Sequence, residues 1–388
     1  MHILLAALFC FAILTLWVPA LWPVTVFQVG VLALAGVSLG RMTKRPPPFV
    51  WPLVPLSIAV LWGVLQWLTG RTAYAFDTKN AIVHWATFLA VFLVGLTVFQ
   101  DALVRRWFRS AMIWFGFLIS ILATLQTFTS NGRVFWIFPT QYTEFLMGPI
   151  VSRNHYAVFI EVVLPMALYE ALSRERGAIL YSGMAAAMYA SVIASASRTG
   201  TLLATAEVLV VVGLMWLGGR ATRRVTGTSL LGIAVLFALM VAVAGPETVW
   251  ARFMAPYPMA WRREFAISTL HMIRAHPWFG LGLGTWATVY PGYAVVDFGV
   301  FVNQAHSDWL QWAAEGGIPF GIAIVTLFAW SLHRAFRSVW GLGVIAVFLH
   351  AMVDYPFSRP ALGCWAIVVL AMLAAPRDDT KVEAQILR

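Results

Sequence analysis

The chain has 388 residues, 61% of them apolar and 11% charged, with 19 Trp and 27 Phe, whereas a soluble domain carries charge on about a quarter of its residues. A soluble enzyme is excluded. The formal charge of +10 is broken into short clusters between apolar runs rather than forming a basic stripe with interleaved aromatics, which excludes a nucleic-acid surface.

Apolar runs of about 18 to 22 residues recur along the chain, and a helix needs about 20 such residues to cross the hydrocarbon. Strand-type alternation is missing, so the class is an all-α polytopic membrane protein rather than a barrel. In chain order the hydropathy predicts spans near 3–20, 22–40, 51–69, 81–100, 110–129, 154–172, 178–196, 199–217, 227–245, 318–333, 339–355 and 360–375, about twelve transmembrane helices. The first run, HILLAALFCFAILTLWVPA, lacks a basic leader and a clear small-x-small cleavage site and reads as a retained helix. Cys10 and Cys364 lie inside apolar runs and indicate neither a disulfide frame nor a Cys metal site. Pro46 to Pro48 mark a loop. No internal repeat is visible. The chain divides into N-terminal helices at 1–129, a core at 130–375 that includes an outer segment at 246–317, and a tail at 376–388.

Basic residues collect on the cytoplasmic side of short loops. Alternate connections carry Arg41, Lys44 and Arg45; Arg105, Arg106 and Arg109; Arg174 and Arg176; Arg220, Arg223 and Arg224; and Arg334 and Arg337, with Arg377, Lys381 and Arg388 in the tail. Both termini are therefore expected in the cytoplasm and the segment 246–317 outside, in the periplasm of a Gram-negative cell. Arg71, Lys79, Arg133, Arg153, Arg198, Arg252, Arg262, Arg263, Arg274 and Arg359 stand where the rule disfavours them, which makes them functional candidates.

On the outer side, GPIVSRNHYAVF puts Arg153, Asn154 and His155 at the mouth of the sixth span, and SASRTG leaves Arg198 at the membrane edge. Several arginines around one pocket make an anion site, since guanidinium forks suit phosphate oxygens. As a helix, WRREFAISTLHMIRAHP puts Trp261, Met272, Ala266, Ile273 and Leu270 on one arc with Phe265 and puts Arg263, His271 and Arg274 opposite. Arg262 lands about 60° from Phe265, inside the apolar arc, where a charge is costly unless a partner or ligand meets it.

Gly280, Gly282 and Gly284 in HPWFGLGLGTW have the wrong spacing for a dinucleotide loop and suit a sharp turn or a close backbone approach beside a ligand. In AHSDWLQWAAEGG a helix puts Asp308, Gln311 and Glu315 on one face with His306 at its first turn. No His pair stands at i, i+4, so no metal site is indicated. Glu161 and Glu207 lie within spans, with partners the sequence does not name.

Taken in order, GPIVSRNHYA, SASRTG, an Arg ahead of HPWFGLGLGTW, AHSDWLQWAAEGG and HAMVDYPFSRPA resemble the O-antigen ligase and polymerase superfamily of bacterial membrane glycosyltransferases. The likeness runs from about Gly148 to Ala361. It departs at Ser152, where the family often has asparagine, at Ser307 after His306, and in lacking a tryptophan one turn beyond the loop arginine.

The resemblance implies a GT-C-like fold with one large periplasmic segment containing short helices. It implies transfer of a glycan from an undecaprenyl diphosphate carrier to an acceptor hydroxyl, on lipid A-core, a polysaccharide or another acceptor, with inversion and with no metal or other cofactor. Arg198 and Arg262 would hold the diphosphate, and His306 would accept the hydroxyl proton. Arg153, Asn154 and His155 would line the cleft, with Arg263, Gly282 and Gly284 nearby, and Asp308 and Glu315 would orient the loop helix. A ligase is favoured because one outer segment dominates. A repeat-unit polymerase is the alternative, and a flippase or secondary transporter would need ionisable residues at mid-membrane and matching halves.

Overall fold

The computed structural model describes residues 1–43, 49–140, 146–173, 177–219 and 260–375, with scattered positions between 227 and 254. The span expected at 227–245, most of 246–259, the tail, Pro46 to Pro48, and Lys44, Arg45, Arg174, Arg176, Arg220, Arg223, Arg224 and Arg252 lie outside the described residues.

The helices are α1 (His2–Leu14), α2 (Trp22–Met42), α3 (Leu53–Leu68), α4 (Ala75–Val98), α5 (Ala102–Thr129), α6 (Arg153–Ser173), α7 (Ala178–Ala194), α8 (Arg198–Leu217), α9 (Ala260–Ala275), α10 (Asp308–Arg337), α11 (Gly343–His350) and α12 (Pro360–Ala374). Among the described residues six helices, α2, α4, α5, α6, α8 and α10, are long and apolar enough to cross a membrane, and five shorter apolar helices accompany them. The protein is thus an all-α, multi-pass membrane protein. Helix α1 stops at Leu14, short of the expected residue 20. The Thr15 hydroxyl donates to the Phe11 carbonyl, Pro19 cannot continue the ladder, and Pro23 occupies the first turn of α2.

Helix α6 is the axis of the bundle. It packs against α5, α7, α8, α11 and α12, and from His155 to Leu172 every residue but Tyr169 is buried. Small residues allow the close approaches such bundles use. A Cβ on Gly200 would stand 2.3 Å from the Ala157 Cβ, and one on Gly343 would stand 2.3 Å from the Glu161 carbonyl oxygen.

One end of the bundle is tied by Arg109 of α5. Its guanidinium reaches Glu170 near the end of α6 at 2.6 Å and lies over the Trp340 ring. Arg334, near the end of α10, donates to the Leu373 carbonyl. At the opposite end the outer segment forms a small core of its own from Phe265, Met272, Leu281, Trp286, Tyr290, Ala305 and Ala314. It is pinned to the α3–α4 connection. The Gln66 amide donates to the carbonyls of Phe279 and Glu315 and accepts from the Leu283 N–H, while Asp77 accepts from the Thr288 hydroxyl at 2.6 Å.

Helix α10 is two helices in sequence. Gly317 has φ 76° and ψ 175°, and a Cβ there would meet the Trp278 carbonyl oxygen at 2.4 Å. The first part packs with the segment 260–307 and the second, from residue 318, runs into the bundle, where the sequence predicts that span to begin.

Candidate active site

The residues that could carry chemistry converge where the first turns of α6 and α8, the N-terminal end of α9, the turn before α10 and the loop between α11 and α12 meet. Asp354, in that last loop, is the centre. Its Oδ2 lies 3.7 Å from Arg262 Nη2 and its Oδ1 lies 4.0 Å from His155 Nε2, and the same Oδ1 accepts from the Tyr355 N–H at 2.9 Å. Burial alone would raise the Asp354 carboxyl, but His155, Arg262, His350 and His306 around it hold it below the usual carboxylate range.

His306 faces the same carboxylate. Its ring stacks on Phe265 at 5.6 Å and meets Tyr355 edge-on at 5.0 Å, and Tyr355 also meets His155 edge-on at 4.8 Å. Burial pushes the His306 imidazole down, Asp354 pulls it up and Arg262 pushes it down again, for a net lowering. At neutral pH it is therefore a neutral base. Its buried Nδ1 has no hydrogen-bond partner among the described residues, and buried polar atoms seldom go unsatisfied unless a ligand or water meets them.

Arg153 is close enough to both Arg198 and Arg262 to feel their charges. Cations are gathered in this way where an anion is to be bound. Backbone strain marks the same place. Of the six described non-glycine residues with positive φ, Asn131, Phe135 and Trp136 lie elsewhere, while Val151, Ala196 and His306, at 61°, 55° and 54°, are respectively two residues before Arg153, two before Arg198, and the candidate base itself. Such conformations concentrate at functional sites.

Local sequence explains how the arginines are presented. Ser197 caps α8 by accepting from the Gly200 N–H, and its hydroxyl donates to Asn154 Oδ1 at 2.9 Å, so the first turns of α6 and α8 are fastened side by side. The Asn154 amide oxygen is engaged in that joint. Arg262 turns inward to Asp354, whereas Arg263 is exposed and pairs with Glu264 at 3.2 Å.

Helix α9 buries a different arc from the one hydropathy predicts. Phe265, Ser268, Thr269 and Met272 are buried, while Trp261 and Leu270 are 49% and 41% exposed. The polar pair is admitted because both hydroxyls are satisfied. Thr269 donates to the Phe265 carbonyl and accepts from Trp286 Nε1, and Ser268 donates to the Glu264 carbonyl and accepts from the Val295 N–H.

The remaining sequence candidates meet the protein's own groups. Glu315 accepts from the Gly284 N–H, the Trp286 N–H and the Gln311 amide. Asp308 accepts from the Phe357 N–H and the Ser358 hydroxyl, both at 2.8 Å. Gly282 and Gly284 have φ of 109° and 80°, and a Cβ there would meet Thr72 Oγ1 at 2.2 Å and the Asp77 carbonyl oxygen at 2.8 Å respectively. The close approach that requires glycine is thus to the α3–α4 connection. Among the described residues no three His, Cys, Asp or Glu side chains are grouped to hold a metal ion.

Residues 183–325 match the family model described as O-antigen ligase. Over that stretch the chain is similar to the O-antigen ligase family. The matched stretch contains Arg198, Arg262 and His306, while Arg153, His155 and Asp354 come to the same cluster from either side of it. The family implies a glycosyltransferase-type enzyme working on lipid-linked polysaccharide at a membrane. No curated protein matches the chain.

Sequence reasoning assigned no role to Asp354. It stands in HAMVDYPFSRPA, in the last turn of the span expected at 339–355, whereas the helix ends at His350, and the available signal was a lone carboxylate at the end of an apolar run.

Proposed function

We propose that the protein is an inverting glycosyltransferase of the O-antigen ligase type. It moves a glycan from a polyprenyl diphosphate to an acceptor hydroxyl at the outer face of the bacterial inner membrane, with twelve spans and both termini in the cytoplasm. The observation that carries this reading is the convergence of Arg153, Arg198 and Arg262 beside a buried carboxylate and a neutral histidine.

The chemistry is a single displacement. The acceptor oxygen forms its bond to the anomeric carbon as the bond from that carbon to the diphosphate oxygen breaks. His306 takes the hydroxyl proton. The electron pair leaves with the diphosphate, whose growing charge Arg153, Arg198 and Arg262 neutralise in a site partly shielded from water. Asp354 keeps Arg262 turned inward, which opposes the mutual repulsion of the cations. Arg359 and Tyr355 sit at the edge of this cluster, the guanidinium 5.7 Å from the ring centre.

The test is glycan transfer from purified polyprenyl diphosphate donor in proteoliposomes. Arg198→Ala, Arg262→Ala and His306→Ala should each lose transfer by orders of magnitude with expression retained. Transfer at the wild-type rate by all three would overturn the assignment. Gel analysis of product length separates a ligase, which adds a finished glycan once, from a polymerase.

A further inference from the structure

A short hairpin after α5 carries the wrong residues for its own turn. Arg133–Val134 pairs antiparallel with Phe138–Pro139, and the Ile137 N–H donates to the Val134 carbonyl at 3.1 Å across the bend. The two residues inside that bend, Phe135 and Trp136, have φ of 52° and 60°. Turns with two successive left-handed residues are normally built from Asn and Gly, because a Cβ is strained there. Aromatic side chains stand here at positions that tolerate them poorly, so a contact outside the turn favours them.

The exposure of the tip shows where that contact lies. Trp136, Ile137 and Phe138 are 42%, 67% and 42% exposed, while Val134 is fully buried. Trp136 Nε1 donates to the hydroxyl of Thr129, the last residue of α5, at 2.9 Å. Helix α5 is long and apolar enough to cross a membrane, and its Leu125 and Phe128 are exposed as well. On the other side Phe138 stacks on Trp17 at 4.6 Å, in the connection that continues to the exposed Leu21 and Trp22. Exposed apolar side chains thus continue from the end of α5 over the hairpin to the start of α2. Arg133, an outer arginine that the site leaves unexplained, is exposed on the first strand of the same hairpin. Aromatic rings at the end of a span with a cation beside them are the pattern of an element lying at a membrane interface.

We propose that residues 133–138 form an interfacial anchor, with Trp136, Ile137 and Phe138 seated in the headgroup layer of the outer leaflet and Arg133 on a lipid phosphate. The partner is bulk phospholipid, held by its surface and not consumed. Seating the rings there offsets the strain of the bend. The anchor needs only a bilayer and is independent of the reaction assigned above. Its consequence for the site is height. Helix α5 packs on α6, which opens on Arg153, so the anchor fixes how far the cationic cluster stands from the acyl chains.

The test uses the full chain in phosphatidylethanolamine–phosphatidylglycerol nanodiscs, with Cys10→Ala and Cys364→Ala as background and an NBD fluorophore on Ile137→Cys. Phe301→Cys, 81% exposed in the outer segment, is the aqueous control, and Leu118→Cys, 58% exposed on α5, is the hydrocarbon control, about 16 Å further into the bundle than Thr129. Acrylamide should quench residue 137 at least about fivefold less than residue 301, and lipid spin-labelled high on its acyl chain should quench 137 at least about twofold more than lipid labelled near the chain end, with the reverse order at 118. The pair Phe135→Asn and Trp136→Gly suits the turn, so it should keep the thermal midpoint in detergent, yet raise acrylamide quenching at 137 at least about threefold. Arg133→Glu should raise it in the same direction. Acrylamide quenching at 137 equal to that at 301 overturns the proposal. Protection from acrylamide and from both spin-labelled lipids also overturns it, because a protein surface then covers the tip. Unchanged quenching in the turn-suited pair and in Arg133→Glu overturns it too, since neither the rings nor the cation then hold the hairpin in place.

Discussion

Arg262 Nη2 stands 3.7 Å from Asp354 Oδ2, while the next side chain, Arg263, points to the surface and meets Glu264. Two adjacent, chemically identical residues thus have opposite fates, set by 100° of helical rotation. Arg262→Ala should lower kcat/KM for glycan transfer by at least about a hundredfold, near 3 kcal/mol of transition-state stabilisation. Arg263→Ala should stay within about threefold of wild type, since an exposed ion pair contributes little. Comparable losses in the two variants would show that the guanidinium choice is wrong.

The pair Asp354 and His306 sets an acid limit on activity. An ordinary histidine titrates near pH 6.5, and His306 is lowered from that value by burial, with Asp354 the one neighbour that opposes the shift. For a histidine lowered by burial, the free base is favoured in the folded protein. The catalytic form therefore persists above the ordinary value and is lost only as pH falls through the lower folded value. Asp354 is itself held below the carboxylate range and remains charged throughout that window. The acid limb of the kcat/KM profile should lie below pH 6.5, and Asp354→Asn should move it further down by removing the upward influence. A limb that moves up, or stays put in that variant, rules His306 out as the titrating base.

The sequence made the membrane class and the inward-turned Arg262 legible because both depend on local periodicity. Hydropathy over about 20 residues defines a span, and the angular position of Arg262 needs only its own helix. What it hid depends on contacts between distant segments. Glu161 was visible as a carboxylate in a span, but its partner His350 is 189 positions away in sequence. Gln66 lies in an apolar helix, where hydropathy assigns it no partner, and it ties three backbone groups of the segment 279–315. Gly282 and Gly284 declared a tight backbone without saying that Thr72 and Asp77 were what they had to clear. The arc of α9 was misjudged because hydropathy ranks Leu270 above Ser268 and Thr269, while the fold satisfies both hydroxyls and leaves Leu270 outside.

Glu315 should behave as a structural clamp. Its carboxylate accepts from Gly284 N–H at 2.8 Å, Gln311 Nε2 at 3.0 Å and Trp286 N–H at 3.1 Å, and its backbone carbonyl accepts from Gln66 at 2.9 Å. Glu315→Ala strands several buried donors, each costing about 1–3 kcal/mol, so the thermal midpoint in detergent should fall by several degrees. Glu315→Gln keeps an acceptor oxygen and should lose less. If Glu315→Ala keeps the wild-type midpoint yet loses transfer, the carboxylate acts on substrate instead.

The buried pair beneath the site gives a sharper test of what holds Asp354 in place. Glu161 Oε1 and His350 Nδ1 are 2.9 Å apart, and both residues are fully buried. His350 ends α11, and its carbonyl accepts from the N–H groups of Val353 and Asp354. The pair therefore anchors the start of the loop that carries Asp354 to the central helix α6. Removing one partner leaves an uncompensated polar group inside the bundle, which for a buried ion pair costs about 3–5 kcal/mol. Removing both with apolar residues of similar volume costs much less. Glu161→Leu and His350→Leu should each lower the unfolding midpoint strongly, and the double variant should recover most of that loss. If the anchor positions Asp354, the double variant, though stable, should still transfer glycan at least about tenfold more slowly, with the acid limb displaced as in Asp354→Asn. Additive losses in the cycle would mean the two side chains do not interact, and a stable double variant with normal transfer would mean that Asp354 is held without them.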